Sequence, residues 1–392
     1  IMGVEPNCYP RLHTEAYSAI IIMLIMYLLY FLAERRAFSA VLNMKITVIC
    51  GGRSPERDVS ISTGRMVASA LKRCGHLVAL VDSAMDYEDN SENYFSKDEN
   101  NSFDSDITDT APDGDFAADR FGHYFGKGVL ELCREADIVF NAMHGGAGED
   151  GTLQAAFDLN GIAYTGSGQK GCMLAMDKQL TKDVLLAENC EVRTPKGLVL
   201  TRESYQKKRM PSAPAGLGFP LVVKPASGGS SVGVSIVDNL QGLADALSIA
   251  FRYEDKVLIE EYIKGREFSV GVLGDIALPA IEIIPKQGFY DYKNKYQKGM
   301  TDEICPADIT AEQLSDMQTM ALAVYNGLSL KAYARVDFIM TEAGKVYCLE
   351  ANTLPGMTPM SLLPQEAAAA GIDFELLCQR IVEESVKKYD RS

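Results

Sequence analysis

No tryptophan occurs in this chain, and its four histidines, His13, His76, His123 and His144, all lie in the first 144 residues. The nine cysteines are scattered, with no CxxC pair and no Cys/His cluster, which excludes zinc and points to buried thiols in a reducing cytosol. The loop Gly51 to Ser60 lacks GxGxxG, and the Gly-Ser stretch Ala226 to Val234 is not a Walker A sequence, so neither loop carries the corresponding nucleotide fingerprint. No Ser, Cys or His nucleophile triad is evident. Basic residues are also short. The 38 Lys and Arg against 53 Asp and Glu leave a net charge of −15, which argues against a nucleic-acid partner. That excess is uneven: Ser83 to Gly128 holds 12 acidic and 3 basic side chains and reads as a solvated acidic insertion.

What is present is ample core for two or three domains: 392 residues, 47% of them hydrophobic, with 33 Gly. Residues 1 to 43 differ from the rest. Ala16 to Ala33 is an uncharged, mostly apolar run followed by Glu34-Arg35-Arg36, long enough for a membrane span with the remainder in the cytoplasm. It lacks the basic start and cleavage site of a secretory signal. The favoured expectation is that the chain proper begins at Met44 and that the preceding residues are upstream sequence; membrane contact follows only if residues 16 to 33 are a real segment.

From Met44 the pattern is βα, that of an α/β protein. Lys45 to Cys50 is an apolar strand entering the loop Gly51 to Ser60, followed by a helix with Val59, Met66, Val67 and Leu71, then a strand at Leu77 to Val81. A further strand, Asp137 to Asn141, enters a second Gly-rich loop, Met143 to Gly151, which carries His144. Ligands gather at the carboxyl ends of parallel strands, where both loops lie. A helix from near Gly168 contains Met176-Asp177-Lys178. Leu221 to Pro225 reads as a buried strand leading into a Gly-Ser stretch, Ala226 to Val234, either a plain hairpin turn or a phosphate-covering flap beside Lys224. Val257 to Ile263 and Gly265 to Val270 read as two strands with an acidic edge. Lys286 to Pro306 reads as a long polar loop, of the kind that acts as a lid. Thr310 to Gly327 and the stretch from Asp373 are helical.

Two runs near the C-terminal end, Arg335 to Met340 and Val346 to Asn352, alternate as half-buried strands. A two-residue turn at Ala343-Gly344 sets Asp337 opposite Glu350 and Arg335 opposite Asn352, all on one face. Val336, Phe338, Leu349 and Ala351 then take the other face. Two opposed carboxylates repel unless neutralised. A divalent cation would do this, since Asp, Glu and an Asn carbonyl are hard oxygen donors; a solvated polar face is the alternative.

Together, six stretches resemble the D-alanine–D-alanine ligase family of ATP-grasp enzymes: Gly51 to Ser60, His144 to Gly151, Val223 to Val234, Tyr290 to Tyr296, Arg335 to Phe338 and Leu349 to Leu362. They occur in order from Met44 almost to the C-terminus. The resemblance implies an N-terminal Rossmann-like α/β domain, residues 44–165, carrying the insertion 83–128. A two-subdomain ATP-grasp α+β module would follow, with a central subdomain at 166–257 and a C-terminal one at 258–392. It implies a cytoplasmic homodimer that uses ATP and two Mg²⁺ ions, with Mn²⁺ able to substitute, to make D-alanyl-D-alanine for peptidoglycan.

Position by position, the resemblance gives Asp337, Glu350 and Asn352 to the metal ions. Lys178, Lys224 and Lys295 go to the ATP phosphates, Glu260, Glu261 and Ile263 to adenine, and Glu267 to the ribose. Glu56 would pair with the first D-alanine's ammonium, with His144 near its carboxylate. Ser361 and Leu362 would bind the carboxylate of the second. Glu56, Ser230 and Tyr296 would form a hydrogen-bond chain joining N-terminal domain, flap and lid, with Ser230 also facing ATP. Arg335 and Gly356 would stabilise the oxyanion. Depsipeptide-forming relatives carry a lid histidine where this chain has Tyr296, so the second substrate is expected to be D-alanine rather than D-lactate or D-serine. A nucleotide-binding regulatory protein of the same fold is the non-catalytic rival.

Overall fold

The computed structural model describes residues 43–54, 56–88, 94–98, 124–188, 190–207, 214, 216–229, 231–286 and 300–390. The chain divides into two units, Ile1–Asn43 and Met44–Ser392, and all described residues except Asn43 belong to the second. Among them no helix is long and apolar enough to cross a membrane. The run Ala16 to Ala33 lies outside the described residues, as does most of the acidic insertion.

The first sheet has β1 (Lys45–Cys50) at its centre, parallel to β2 (Leu77–Asp82) on one side and β3 (Ile138–Asn141) on the other. Five of the six β1 residues are buried, the near-continuous apolar run expected of a strand covered on both faces. Helix α1 (Arg57–Arg73) crosses from β1 to β2 and buries Val59, Ile61, Val67 and Leu71. Met66, expected on that face, is 44% exposed. Helix α2 (Val129–Glu135) leads into β3, and a short 3-10 turn, Gly146–Gly148, separates β3 from α3 (Thr152–Leu159).

The helix expected to run through Met176-Asp177-Lys178 is two helices, α4 (Gln169–Met176) and α5 (Lys178–Ala187). Asp177 breaks it by capping α5: its carboxylate accepts from the N–H groups of Gln179 and Leu180 at 3.0 and 3.1 Å. Lys178 thereby becomes the first residue of a helix.

The second sheet comprises β4 (Gly197–Thr201), which leads into α6 (Arg202–Lys207), and then β5 (Leu221–Pro225), β6 (Ser235–Val237) and β7 (Lys256–Glu261). Their order is β4-β7-β5-β6, antiparallel throughout, and α7 (Leu240–Ala250) covers one face with Leu243, Ala246 and Leu247. β7 is an inner strand. The acidic edge expected there is absent, because Glu260 is only 2% exposed. The expected boundary between residues 257 and 258 falls inside β7.

The third sheet contains β8 (Arg266–Leu273), β9 (Ile276–Ala277), β10 (Ile281–Pro285), β11 (Thr301–Ile304), β12 (Tyr333–Met340) and β13 (Val346–Asn352), ordered β11-β10-β8-β12-β13 with β9 beside β8. Part of the expected lid loop is thus strand β11; residues 287–299 lie outside the described residues. Helix α8 (Ala311–Gly327) starts with a capping box between Thr310 and Gln313. It lays Met317, Ala321 and Val324 on one sheet face, against Phe268, Val270, Val336 and Phe338. The opposite face keeps the polar residues.

The β12–β13 register pairs Asp337 with Glu350 and Arg335 with Asn352. It arises differently from the two-residue-turn expectation. Thr341 N–H donates to Lys345 O, so the turn encloses three residues, and a bulge at Leu349 then restores the pairing. Cys348, rather than Leu349, therefore joins Val336, Phe338 and Ala351 in the core.

Helix α9 (Leu362–Ala369) follows the loop after β13, with Ser361 as its N-cap residue. Helix α10 (Phe374–Val386) then returns to the first sheet. Its Glu375 meets Arg73 at 2.8 Å, and Gln379 meets the buried His76 at 2.7 Å.

Candidate active site

Three loops, strand β13 and the facing ends of α4 and α5 converge on a cleft lined by Glu149, Met176, Lys178, Gly228, Gly229, Glu350, Asn352 and Thr353. The β13 carboxylate and the α5 N-terminus meet there. Lys178 Nζ lies 3.2 Å from Glu350 Oε2 and donates to Gly228 O at 2.6 Å, so one ammonium ties β13 to the Gly-Ser stretch. Lys178 N–H also donates to Ala226 O, fixing that stretch against α5.

Lys224 points from β5 into the same region, with Nζ 2.6 Å from Glu260 Oε2. Lys182, four residues after Lys178, bonds the other Glu260 oxygen and donates to Pro195 O at 2.8 Å. Burial, followed by the neighbouring Lys178 ammonium, pushes Lys224 down to about 7, and burial pushes Lys182 down to about 8. The Glu260 carboxylate is the shared counter-ion of these two cations. Two ammonium groups held beside a third, Lys178, form a basic floor suited to a polyphosphate.

On the β12–β13 face, Arg335 grips Asp337 through two bonds, Nε to Oδ1 at 2.8 Å and Nη2 to Oδ2 at 2.9 Å. Asn352 Nδ2 donates to Asp337 Oδ2 at 3.0 Å. No group of three His, Cys, Asp or Glu side chains gathers as a metal site among the described residues. The donor set here is two carboxylates and an amide, which fits a hard divalent cation that takes its remaining ligands from phosphate and water.

The two N-terminal loops touch, as their place at the strand ends requires. Gly145 has φ +71°, and a Cβ there would lie 2.5 Å from Ser54 Oγ and 2.7 Å from Glu56 Oε2. His144 is buried, with Nε2 3.0 Å from Thr63 Oγ1 and Nδ1 3.7 Å from Glu149 Oε1. Its ring nitrogens both face protein groups. Glu149 also accepts from Gly145 N–H at 2.8 Å, so it links this loop to the main cleft. Arg57 bridges Gly52 O and the buried Asp82, which anchors the first loop.

Ser361 Oγ accepts from Thr358 N–H at 3.1 Å, and a Cβ on Gly356 would lie 2.7 Å from it, so close approach by Ser361 requires glycine there. Leu362 is buried against Ile281 and Ile283. Glu261 closes a reciprocal pair with Lys196: its N–H donates to Lys196 O, and its Oε1 accepts from Lys196 N–H. Ile263 is half-buried in the link to β8, and Glu267 lies on β8 two residues before Ser269, the partner of Asp337. Ser230, Lys295 and Tyr296 lie outside the described residues.

Sequence reasoning missed Lys182, Glu149, Arg57 and Asp82. Only Lys182 left a signal, since i and i+4 share a helix face with Lys178.

The D-ala D-ala ligase N-terminus family model matches residues 45–167, and the D-ala D-ala ligase C-terminus family model matches residues 186–383. The D-alanine–D-alanine ligase of Pediococcus pentosaceus is 42% identical over 355 residues, 88% of this chain and 99% of that one. That of Syntrophotalea carbinolica is 39% identical over 338 residues, 86% of this chain and 95% of that one. The crystal structure of the Bacillus anthracis D-alanine–D-alanine ligase complexed with ATP superposes with a TM-score of 0.65 at 32% identity, covering 88% of this chain and 98% of that one. The matches run from β1 into α10 and take in both the Gly-rich loops and the β12–β13 face, and the chain belongs to the D-alanine–D-alanine ligase family.

Proposed function

We propose that this chain joins two D-alanines at the expense of ATP, forming D-alanyl-D-alanine for peptidoglycan precursors. The observation that carries the reading is the meeting of Lys178, Lys224 and Glu350 opposite the Arg335–Asp337 pair. A polyphosphate fits between such cations and carboxylates once a divalent cation neutralises the latter.

A carboxylate is a poor electrophile, so the γ-phosphoryl group of ATP passes first to the carboxylate of one D-alanine, releasing ADP and leaving an acylphosphate. The amine of the second D-alanine attacks its carbonyl carbon, and the C–O bond to phosphate breaks. Lys178, Lys224 and Lys295 would hold the phosphates, and Glu260, Glu261, Ile263 and Glu267 would frame adenine and ribose. Asp337, Glu350 and Asn352 would hold Mg²⁺ or Mn²⁺, which supplies positive charge where two anions meet. Glu56 and His144 would receive the first D-alanine, and Ser361 and Leu362 the second. Arg335 and the Gly356 N–H would stabilise the tetrahedral oxyanion. Ser230 and Tyr296 would tie flap and lid to Glu56 and keep water from the acylphosphate.

The three sheets support a division into an N-terminal Rossmann-like substrate domain and the two subdomains of an ATP-grasp module. A cytoplasmic homodimer completes the reading.

Incubation with ATP, Mg²⁺ and equal concentrations of D-alanine and D-lactate at neutral pH tests it. The expected outcome is ADP release that depends on D-alanine, with D-alanyl-D-alanine dominant by mass spectrometry. ADP release without D-alanine, or none at all, would sink the ligase reading. Mostly D-alanyl-D-lactate would sink the argument from Tyr296 and the missing lid histidine.

A further inference from the structure

Helix α9 carries Glu366, which is fully buried and has no part in the chemistry proposed above. Neither of its carboxyl oxygens, nor the hydroxyl of Ser269, has a hydrogen-bond partner among the described residues. An apolar side chain would fill this position more stably, so a carboxyl kept there needs another reason.

Gly271 makes the room. A Cβ at that position would lie 2.5 Å from Glu366 Oε2. Gly271 is also the register partner of Arg335 across the β8–β12 pair, as Ser269 is of Asp337. Partners of this kind are neighbours on one sheet face, so the carboxyl enters that face beside Arg335. Burial pushes Glu366 up to about 8, Arg335 draws it down, and Asp337 acts upwards. Ser269 and the Gly271 amide draw it down further, without full hydrogen-bond geometry. Arg335 therefore stands between two carboxyls. Asp337, two residues along its own strand, holds it through two bonds, and Glu366 flanks it at Gly271.

We propose that Glu366 is a positioning residue for Arg335, the second carboxyl that keeps the guanidinium on the sheet face when Asp337 turns to a divalent cation. This rests on the roles given to Arg335 and Asp337 under Proposed function. Without Glu366 the guanidinium stays on Asp337 and competes with the cation for it.

Glu366→Met and Glu366→Gln provide the test, with Mn²⁺ as the probe in the presence of ADP. Electron paramagnetic resonance should show Mn²⁺ held about tenfold more weakly in both variants, the usual size for losing an outer-shell partner. At saturating Mg²⁺, kcat should fall about as far, with the KM for ATP unchanged. Glu366→Met should melt no lower than the parent chain, because an apolar side chain replaces a buried carboxyl. A side chain that only packs would give the reverse, a lower melting temperature with Mn²⁺ binding intact, and that result overturns the proposal. So does Mn²⁺ affinity and kcat within about twofold of the parent in both variants. Should Glu366→Met fail to fold, Glu366→Gln keeps the shape and decides by the same readouts. If the parent chain shows no D-alanine-dependent ADP release, the ligase reading falls, while Mn²⁺ binding and melting still judge Glu366.

Discussion

Glu260→Gln should destabilise the ligand-free protein strongly, and more so in acid than in alkali. Glu260 is 2% exposed and is the counter-ion of both Lys182 and Lys224. At the 2.6 Å separation from Lys224, the pairwise attraction is about 6 kcal/mol at an effective dielectric near 20. Desolvation offsets much of this, and removing one partner of a buried pair typically costs about 3–5 kcal/mol. Spread over the roughly 350 residues of the folded unit, that is a fall of about 4–7 °C in melting temperature if unfolding is cooperative.

The pH dependence follows from Lys224. Burial already holds it at about 7 against 10.5 for a free lysine, and losing the carboxylate lowers it further. In the variant, the unfolded chain then binds more protons than the native one from below neutrality up to the free-lysine range. Stability therefore rises with pH across that window. Scanning calorimetry at about pH 6 and about pH 9 should show a larger deficit, relative to the parent, at the lower pH. An equal deficit at both, or none at either, would refute the shared counter-ion. A polyphosphate such as ATP should restore part of the loss, since it supplies negative charge to the same ammonium groups.

Glu350→Gln should leave the melting temperature close to the parent's, because Glu350 itself is partly exposed and the buried Lys178 keeps its bond to Gly228 O and can still bond the amide oxygen of the new glutamine. Turnover should nevertheless fall by about two orders of magnitude or more, as several kcal/mol of transition-state stabilisation disappear. Near-normal kcat at saturating Mg²⁺ would contradict the metal assignment. Gly145→Ala should cost about 1–3 kcal/mol from its backbone alone, since φ 71° with ψ 161° is open to little but glycine. Its Cβ would also push Ser54 and Glu56 aside, so the KM for D-alanine should rise while the KM for ATP holds. Unchanged D-alanine kinetics would remove Glu56 from the first subsite.

Local pattern was legible where the period of the strand or helix decides the outcome. β1 and β5 lie at their expected residues because unbroken apolar runs bounded by turn residues have few other solutions. The pairing of Asp337 with Glu350 was legible for a less secure reason. The turn holds one residue more than expected and the bulge at Leu349 holds one more again, so the two departures cancel at the functional end. Turn size and bulges depend on how the hairpin packs under α8, which alternation alone does not encode.

Tertiary structure alone brought Lys182, Lys224 and Glu260 together, from α5, β5 and β7. The sequence placed Glu260 on an acidic edge because it did not show that β7 would be sandwiched between β4 and β5. Likewise Gly271 and Glu366 are each unremarkable in sequence. They meet because α9 docks on the third sheet through Leu362 and Leu363, and that docking is set by burial of apolar area across segments distant in the chain. Sequence periodicity thus determined which residues share a face, and only packing decided which faces meet.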